Sequence, residues 1–270
     1  MTQSTLIHVF LMGMALTCLF PIFWMIRCAL MSNDTVFVDQ AIIPHHLNFS
    51  NFATAWIKGN FAIFFLNSVI YTVCVVTGIV IISSLAAFAF SRLNFPGKNF
   101  IFYLFVAAMM IPLPGSFVAL FVLMNKLHLA NTRFGYILCM INVGLSMSIL
   151  LLKTFFDKMP HELEDAARID GCGKLGIWWN MAMPFARPAI AVIVIFNSLN
   201  VWNEYILATL LLEDTKLMPL QRGLVVFQGA NSTDYPVLMA GLTMAAIPII
   251  IIYLTMQKHI VKGISGEVVG

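Results

Sequence analysis

The sequence predicts an all-α membrane protein with six transmembrane helices. Three observations predict it. Hydrophobic residues make up 60% of the 270 residues and charged residues 10%, against roughly 45–50% and about 25% in soluble domains. Mean hydropathy is +0.91. Finally, Asp, Glu, Lys and Arg are missing from 1–26, 59–91, 99–125, 134–152 and 235–257, and 188–212 is interrupted only by Glu204. A helix needs about 20 apolar residues to cross ~30 Å of hydrocarbon, and in lipid it must satisfy its own backbone. A soluble globular enzyme and a disordered chain are both excluded, because so few charges cannot solvate a surface in water.

The spans are expected at about 5–31, 62–91, 99–125, 134–156, 187–212 and 236–258, in a single transmembrane domain over 1–270. The first follows Met1-Thr-Gln-Ser-Thr5 with no basic residue. Its apolar run exceeds the ~7–15 residues of a signal-peptide core, so it is expected as a retained span. Residues 32–60 and 213–235, rich in Asn, Asp, Gly, Pro and His, read as surface loops. Arg92-Leu-Asn-Phe-Pro-Gly-Lys98 reads as a tight turn. Segment 153–187 differs: five basic and five acidic residues sit in a sequence that still reads helical. It is an amphipathic excursion, too polar to cross.

Lys and Arg counts set the orientation. With both termini cytoplasmic, the inner side holds Arg92, Lys98, Lys153, Lys158, Arg168, Lys174, Arg187, Lys258 and Lys262. The outer side holds Lys58, Lys126, Arg133, Lys216 and Arg222, with Arg27 near the outer end of span one. The bias favours a cytoplasmic excursion.

Catalytic and metal motifs fail on inspection. His161-Glu162 begins like HExxH, but position 165 is Asp. Gly144-Leu-Ser146-Met lacks the closing Gly of a nucleophile turn. Gly171-Cys-Gly-Lys174-Leu175 lacks both the spacing and the hydroxyl of a phosphate loop. No ATP hydrolysis by this chain is expected, and no cofactor or metal. Cys18, Cys28, Cys74, Cys139 and Cys172 show no paired spacing. A net charge of +3 without a dense basic cluster argues against nucleic acid.

Two regions could carry function. Asn197, Asn200, Trp202, Asn203 and Glu204 lie in one span. A charge at mid-bilayer costs roughly 2.5–3.5 kcal/mol, so the patch implies a wet cavity or a polar partner helix. Interhelical hydrogen bonding is the plainer alternative. Indole and amide groups also suit sugar rings, which makes these five residues candidates for a solute path. Pro112, Pro114 and Pro248 are expected to bend their spans. The excursion reads as a short helix with an acidic first turn, a break at Gly171–Gly173, and a second short helix ending at Pro184. Lipid binding by this segment would need a basic face, which it lacks.

The excursion holds Asp165-Ala166-Ala167, three residues, Gly171, nine residues, then Met181-Ala-Met183-Pro184. This resembles the Glu-Ala-Ala…Gly…Ile-x-Leu-Pro signature of permease subunits in bacterial binding-protein-dependent ABC importers, in the carbohydrate branch. Asp replaces Glu, and two Met replace Ile and Leu. Ile169-Asp170-Gly171, Pro188, Ser91-Arg92…Phe95-Pro96-Gly97, Met110-Ile111-Pro112, Leu129-Ala-Asn131-Thr132, Trp202-Asn203-Glu204-Tyr205 and Gln257…Lys262-Gly263 are similar too.

The resemblance implies a type I ABC importer permease fold with a coupling helix in a cytoplasmic loop, 158–185. It implies half of a translocation pore for a sugar or oligosaccharide, in a bacterial or archaeal cytoplasmic membrane. The implied partners are a second homologous permease in a heterodimer, two ABC ATPases carrying ATP and Mg, an extracytoplasmic solute-binding protein, membrane lipid and the carbohydrate solute. ATPase coupling falls on 162–181, through Glu162, Asp165, Ala166, Ala167, Asp170, Gly171 and Pro184. A chain without a phosphate loop must receive its energy through a contact, and only this excursion is large enough. Loop 213–235 faces outward, with Gln228, Gly229, Ala230 and Asn231 expected at the binding-protein contact. The alternative is a secondary transporter or channel, which would usually show inverted repeats or several intramembrane charges. Glu204 is nearly alone.

Overall fold

The computed structural model describes residues 3–39, 41–110, 113–227 and 233–265. Among these there are thirteen α-helices and no strand element: α1 (Gln3–Ala29), α2 (Ser50–Lys58), α3 (Phe61–Arg92), α4 (Lys98–Ala108), α5 (Phe117–Lys126), α6 (Arg133–Phe156), α7 (His161–Ile169), α8 (Lys174–Ile177), α9 (Met183–Phe185), α10 (Arg187–Trp202), α11 (Ile206–Leu211), α12 (Leu220–Gly223) and α13 (Tyr235–Ser265). A π-helical turn, Trp178–Ala182, joins α8 to α9.

Among the described residues each of the six apolar stretches carries helix, but not equally continuously. Helices α1, α3, α6 and α13 are long and apolar enough to cross a membrane by themselves. The stretch expected at 99–125 is carried by the shorter α4 and α5. The stretch expected at 187–212 is α10 followed by α11, separated at Asn203–Tyr205. Helix α10 also meets the α8–α9 segment at 78°, the one bent pair among the described helices that passes as a span.

The chain forms two compact units. The first comprises Met1–Phe65 with Leu220–Ile249. Here the side chains of 5–24 in α1 are all exposed, as suits a helix apolar on every face in lipid. In the last turn of α1, buried Arg27 donates to the carbonyls of Asp39 (2.6 Å) and Ala41 (2.7 Å). Asn51 donates to Ala29 O and Met31 O. These bonds fold the loop back on the helix end. The Ala41 amide and the His45 ring, both bonded to Asp39, hold its carboxyl below the usual carboxylate value.

The second unit, Leu66–Pro219 with Ile250–Gly270, contains the main core. Tyr71, Val75 and Ile79 of α3 pack with Tyr136, Met140 and Ile149 of α6 and Ile193 of α10. The Tyr71 and Tyr136 rings meet edge-on, centroids 4.7 Å apart. At Gly144 of α6 a Cβ would press on the side chains of Asn197 and Ile79, so a larger residue there would force both to shift.

Candidate functional site

The polar excursion is built outward from the end of α6. Lys153 and Ser91 both bond Asp157, at 2.7 and 2.6 Å. Burial alone would raise the Asp157 carboxyl. The hydrogen bonds from Lys153 and Ser91 and the charges of Lys153 and Arg92 outweigh that and hold it below its ordinary value. After the Asp157–Pro160 elbow, α7 begins with Glu162 and Glu164 in its first turn, where acids favour the helix dipole.

The two faces of α7 differ. Glu164 and Ala167 are buried, while Glu162, Asp165, Ala166 and Asp170 are exposed. The helix ends in a left-handed glycine cap. Gly171 has φ +81°, its amide donates to Arg168 O and the next amide, of Cys172, donates to Ala167 O. This pairing is the Schellman arrangement. An ideal Cβ at Gly171 meets nothing within 4 Å, so backbone conformation, not space, selects glycine there. Ile169 before the cap and Leu175 and Trp179 beyond it are 86%, 71% and 61% exposed, and Pro184 is exposed. The segment thus exposes three large apolar side chains together with the carboxylates of Asp165 and Asp170.

The five intramembrane candidates separate into two groups. Asn197 is buried and donates to Ser148 Oγ (3.2 Å) and Ile193 O (2.8 Å). Trp202 is also buried. Glu204 accepts from the amides of Leu207 (2.6 Å) and Ala208 (2.9 Å) and from Tyr136 Oη (3.1 Å). Its carboxylate therefore satisfies the first turn of α11, whose amides have no partner within the helix. Asn200 in α10 and Asn203 just after its end are exposed. None of these five lines the apolar groove between α3 and α10, where Thr72, Thr77, Val194 and Ser198 lie. Gln228, Gly229, Ala230 and Asn231 lie outside the described residues. Among the described residues, no group of three or more His, Cys, Asp or Glu could hold a metal.

Sequence reasoning missed two clusters. At one end of α3, Asn67 donates to Lys216 O (2.8 Å) and Met218 O (3.0 Å) and accepts from Arg133 (2.9 Å). Tyr71 Oη donates to Leu217 O, and Asn131 accepts from the amides of Glu213 and Asp214. At the other end, Arg92 pairs with Glu164 (3.1 Å). Neither cluster has a spacing signal, because its members come together only through helix packing.

The family model for the binding-protein-dependent transport system inner membrane component matches residues 78–266. The probable ABC transporter permease protein YurM of Bacillus subtilis is 36% identical over 99% of this chain and 89% of that one. The diacetylchitobiose uptake system permease protein NgcG of Streptomyces coelicolor is 29% identical over 96% and 86%. The crystal structure of a bacterial ABC transporter importing the acidic polysaccharide alginate superimposes with TM-score 0.82 at 27% identity, covering 96% of this chain and 98% of that one. The secondary-transporter alternative finds no support in these matches. With its apolar helices, its polar excursion and the family match over most of its length, this chain belongs to the binding-protein-dependent transport system inner membrane components and is a permease of the ABC importer type.

Proposed function

We infer that this chain forms half of a translocation pathway for a sugar or oligosaccharide, and that residues 162–181 seat an ATPase subunit on the cytoplasmic side. The observation that carries the reading is the exposure of Ile169, Leu175 and Trp179 on the polar excursion. Outside a bilayer such exposed apolar side chains call for a protein partner, and the exposed carboxylates of Asp165 and Asp170 suit basic side chains on it. ATP and Mg then belong to that partner. A second, homologous permease completes the pathway, and a binding protein delivers solute to the loop containing Gln228, Gly229, Ala230 and Asn231. Both termini lie in the cytoplasm, as the Lys and Arg bias indicates. Asn200 and Asn203, exposed in a span, are the path residues best placed to meet solute. The sugar class rests on relatives that transport diacetylchitobiose and alginate.

Gly171→Arg tests the reading. The variant is expected to insert normally and to lose co-purification of an ATP-hydrolysing subunit, or to keep it with uptake uncoupled from hydrolysis. Normal ATPase binding and normal uptake of labelled oligosaccharide by the variant would overturn the docking assignment.

A further inference from the structure

Arg92 belongs to none of the coupling, path or loop residues, yet it joins three elements. Its Nη2 donates to Phe156 O, the last carbonyl of α6, and to Met159 O in the elbow. Its Nε lies 3.1 Å from Glu164 Oε1, an ion contact in which neither atom makes an aligned hydrogen bond, and the other carboxylate oxygen of Glu164 lies 3.8 Å from Arg168. A further nitrogen, Nη1, lies 3.2 Å from His161 Nδ1. The Arg92 and Glu164 side chains are 3% and 6% exposed.

We propose that Arg92 and Glu164 are a positioning pair that fixes α7 to the joined ends of α3 and α6, so that a push on α7 moves α3. This rests on the docking of an ATPase at 162–181. Helix α7 has nine residues, too few to be stable alone; the four-residue elbow Asp157–Pro160 joins it to α6 and Ala167 seats it on the core. A small alanine contact resists sliding weakly, so without a polar tie displacement of α7 would be absorbed largely by turning that elbow. The planar guanidinium supplies several donors in fixed directions, which one ammonium could not. Only one face of α7 is used, because Asp165 and Ala166 remain exposed on the other. Docking and fixing therefore do not compete. A buried ion pair is by itself weak evidence for stability. Its place at the meeting of three elements points to transmission.

The test uses the assembled transporter with spin labels at Leu163→Cys on α7 and Ile82→Cys on α3, both exposed positions. With the pair intact, one narrow distance is expected, unchanged when nucleotide and vanadate trap the ATPases. Glu164→Gln is expected to broaden the distance and to make it shift on trapping, while Glu164→Asp returns it towards the narrow form. An unchanged narrow distance in Glu164→Gln, or a trapping shift in the parent, overturns the proposal. Should Glu164→Gln not assemble, Arg92→Lys is measured against the same two criteria. A parent chain that carries no ATPase refutes the docking reading instead. The width of the distance in the isolated permease still decides whether the pair fixes α7.

Discussion

The two ends of α3 are held by opposite chemistries. At the Asn67 end, neutral amide and phenol groups hold main-chain atoms of 213–218, with Arg133 bracing Asn67 from behind. At the Arg92 end, one buried ion pair and two carbonyl contacts do the work. The first arrangement is distributed, so each bond can be lost separately. The second is concentrated, and removing Glu164 leaves the buried Arg92 charge without its carboxylate, whereas Glu164 also has Arg168 within 3.8 Å. The comparison separates attachment that tolerates damage from attachment that fails as a unit.

The largest effect should come from stranding that charge. Glu164→Leu is expected to cost about 3–5 kcal/mol, the usual result of breaking a buried pair. The double variant Arg92→Met/Glu164→Leu should recover part of that loss, since no buried charge remains. Thermal unfolding in detergent measures both. A double variant no more stable than Glu164→Leu would show that the carbonyl contacts of Arg92, not its charge, dominate.

The neutral end should respond in graded steps. Asn67→Ala removes two donors and leaves Arg133 without its acceptor, for about 2 kcal/mol, while Tyr71→Phe removes one bond, for about 1 kcal/mol. The same unfolding assay ranks them. Equal losses would mean that the two bonds of Asn67 do not act separately.

The smallest effect is electrostatic and lies beside Arg92. Asp157 has a folded pKa below its ordinary 3.8, so its contribution is present above the unfolded value and is lost as pH falls through the folded value. The stability gap between the parent and Asp157→Asn should stay constant from about pH 8 to 5 and close below about pH 4. Solvent screening holds it to ~0.5 kcal/mol. A gap that grows on acidification would contradict the direction of the shift.

Much of this architecture is legible in the sequence, and the gaps are instructive. Charge-free runs locate every apolar helix, because lipid allows no other pattern. Gly171 is legible as a break, because a left-handed cap selects glycine. The interruption at 203–205 is harder to see, since it contains neither Pro nor Gly. There Glu204 reads as a costly buried charge, yet its carboxylate caps α11. The Arg92–Glu164 pair leaves no local trace at all. Glu164 reads as one acid among several in a first turn, and only the packing of α3 against α6 selects it for burial over Asp165.

The bonds at the Asn67 end have a consequence for how such transporters diversify. Asn67 and Tyr71 grip carbonyls of residues 216–218, and Asn131 grips the amides of 213 and 214. None of these contacts depends on which side chains the gripped residues carry. The base of the loop can change its amino acids and keep its seat. A segment of different sequence can sit there like a tool in a standard socket, because the socket holds only its main chain.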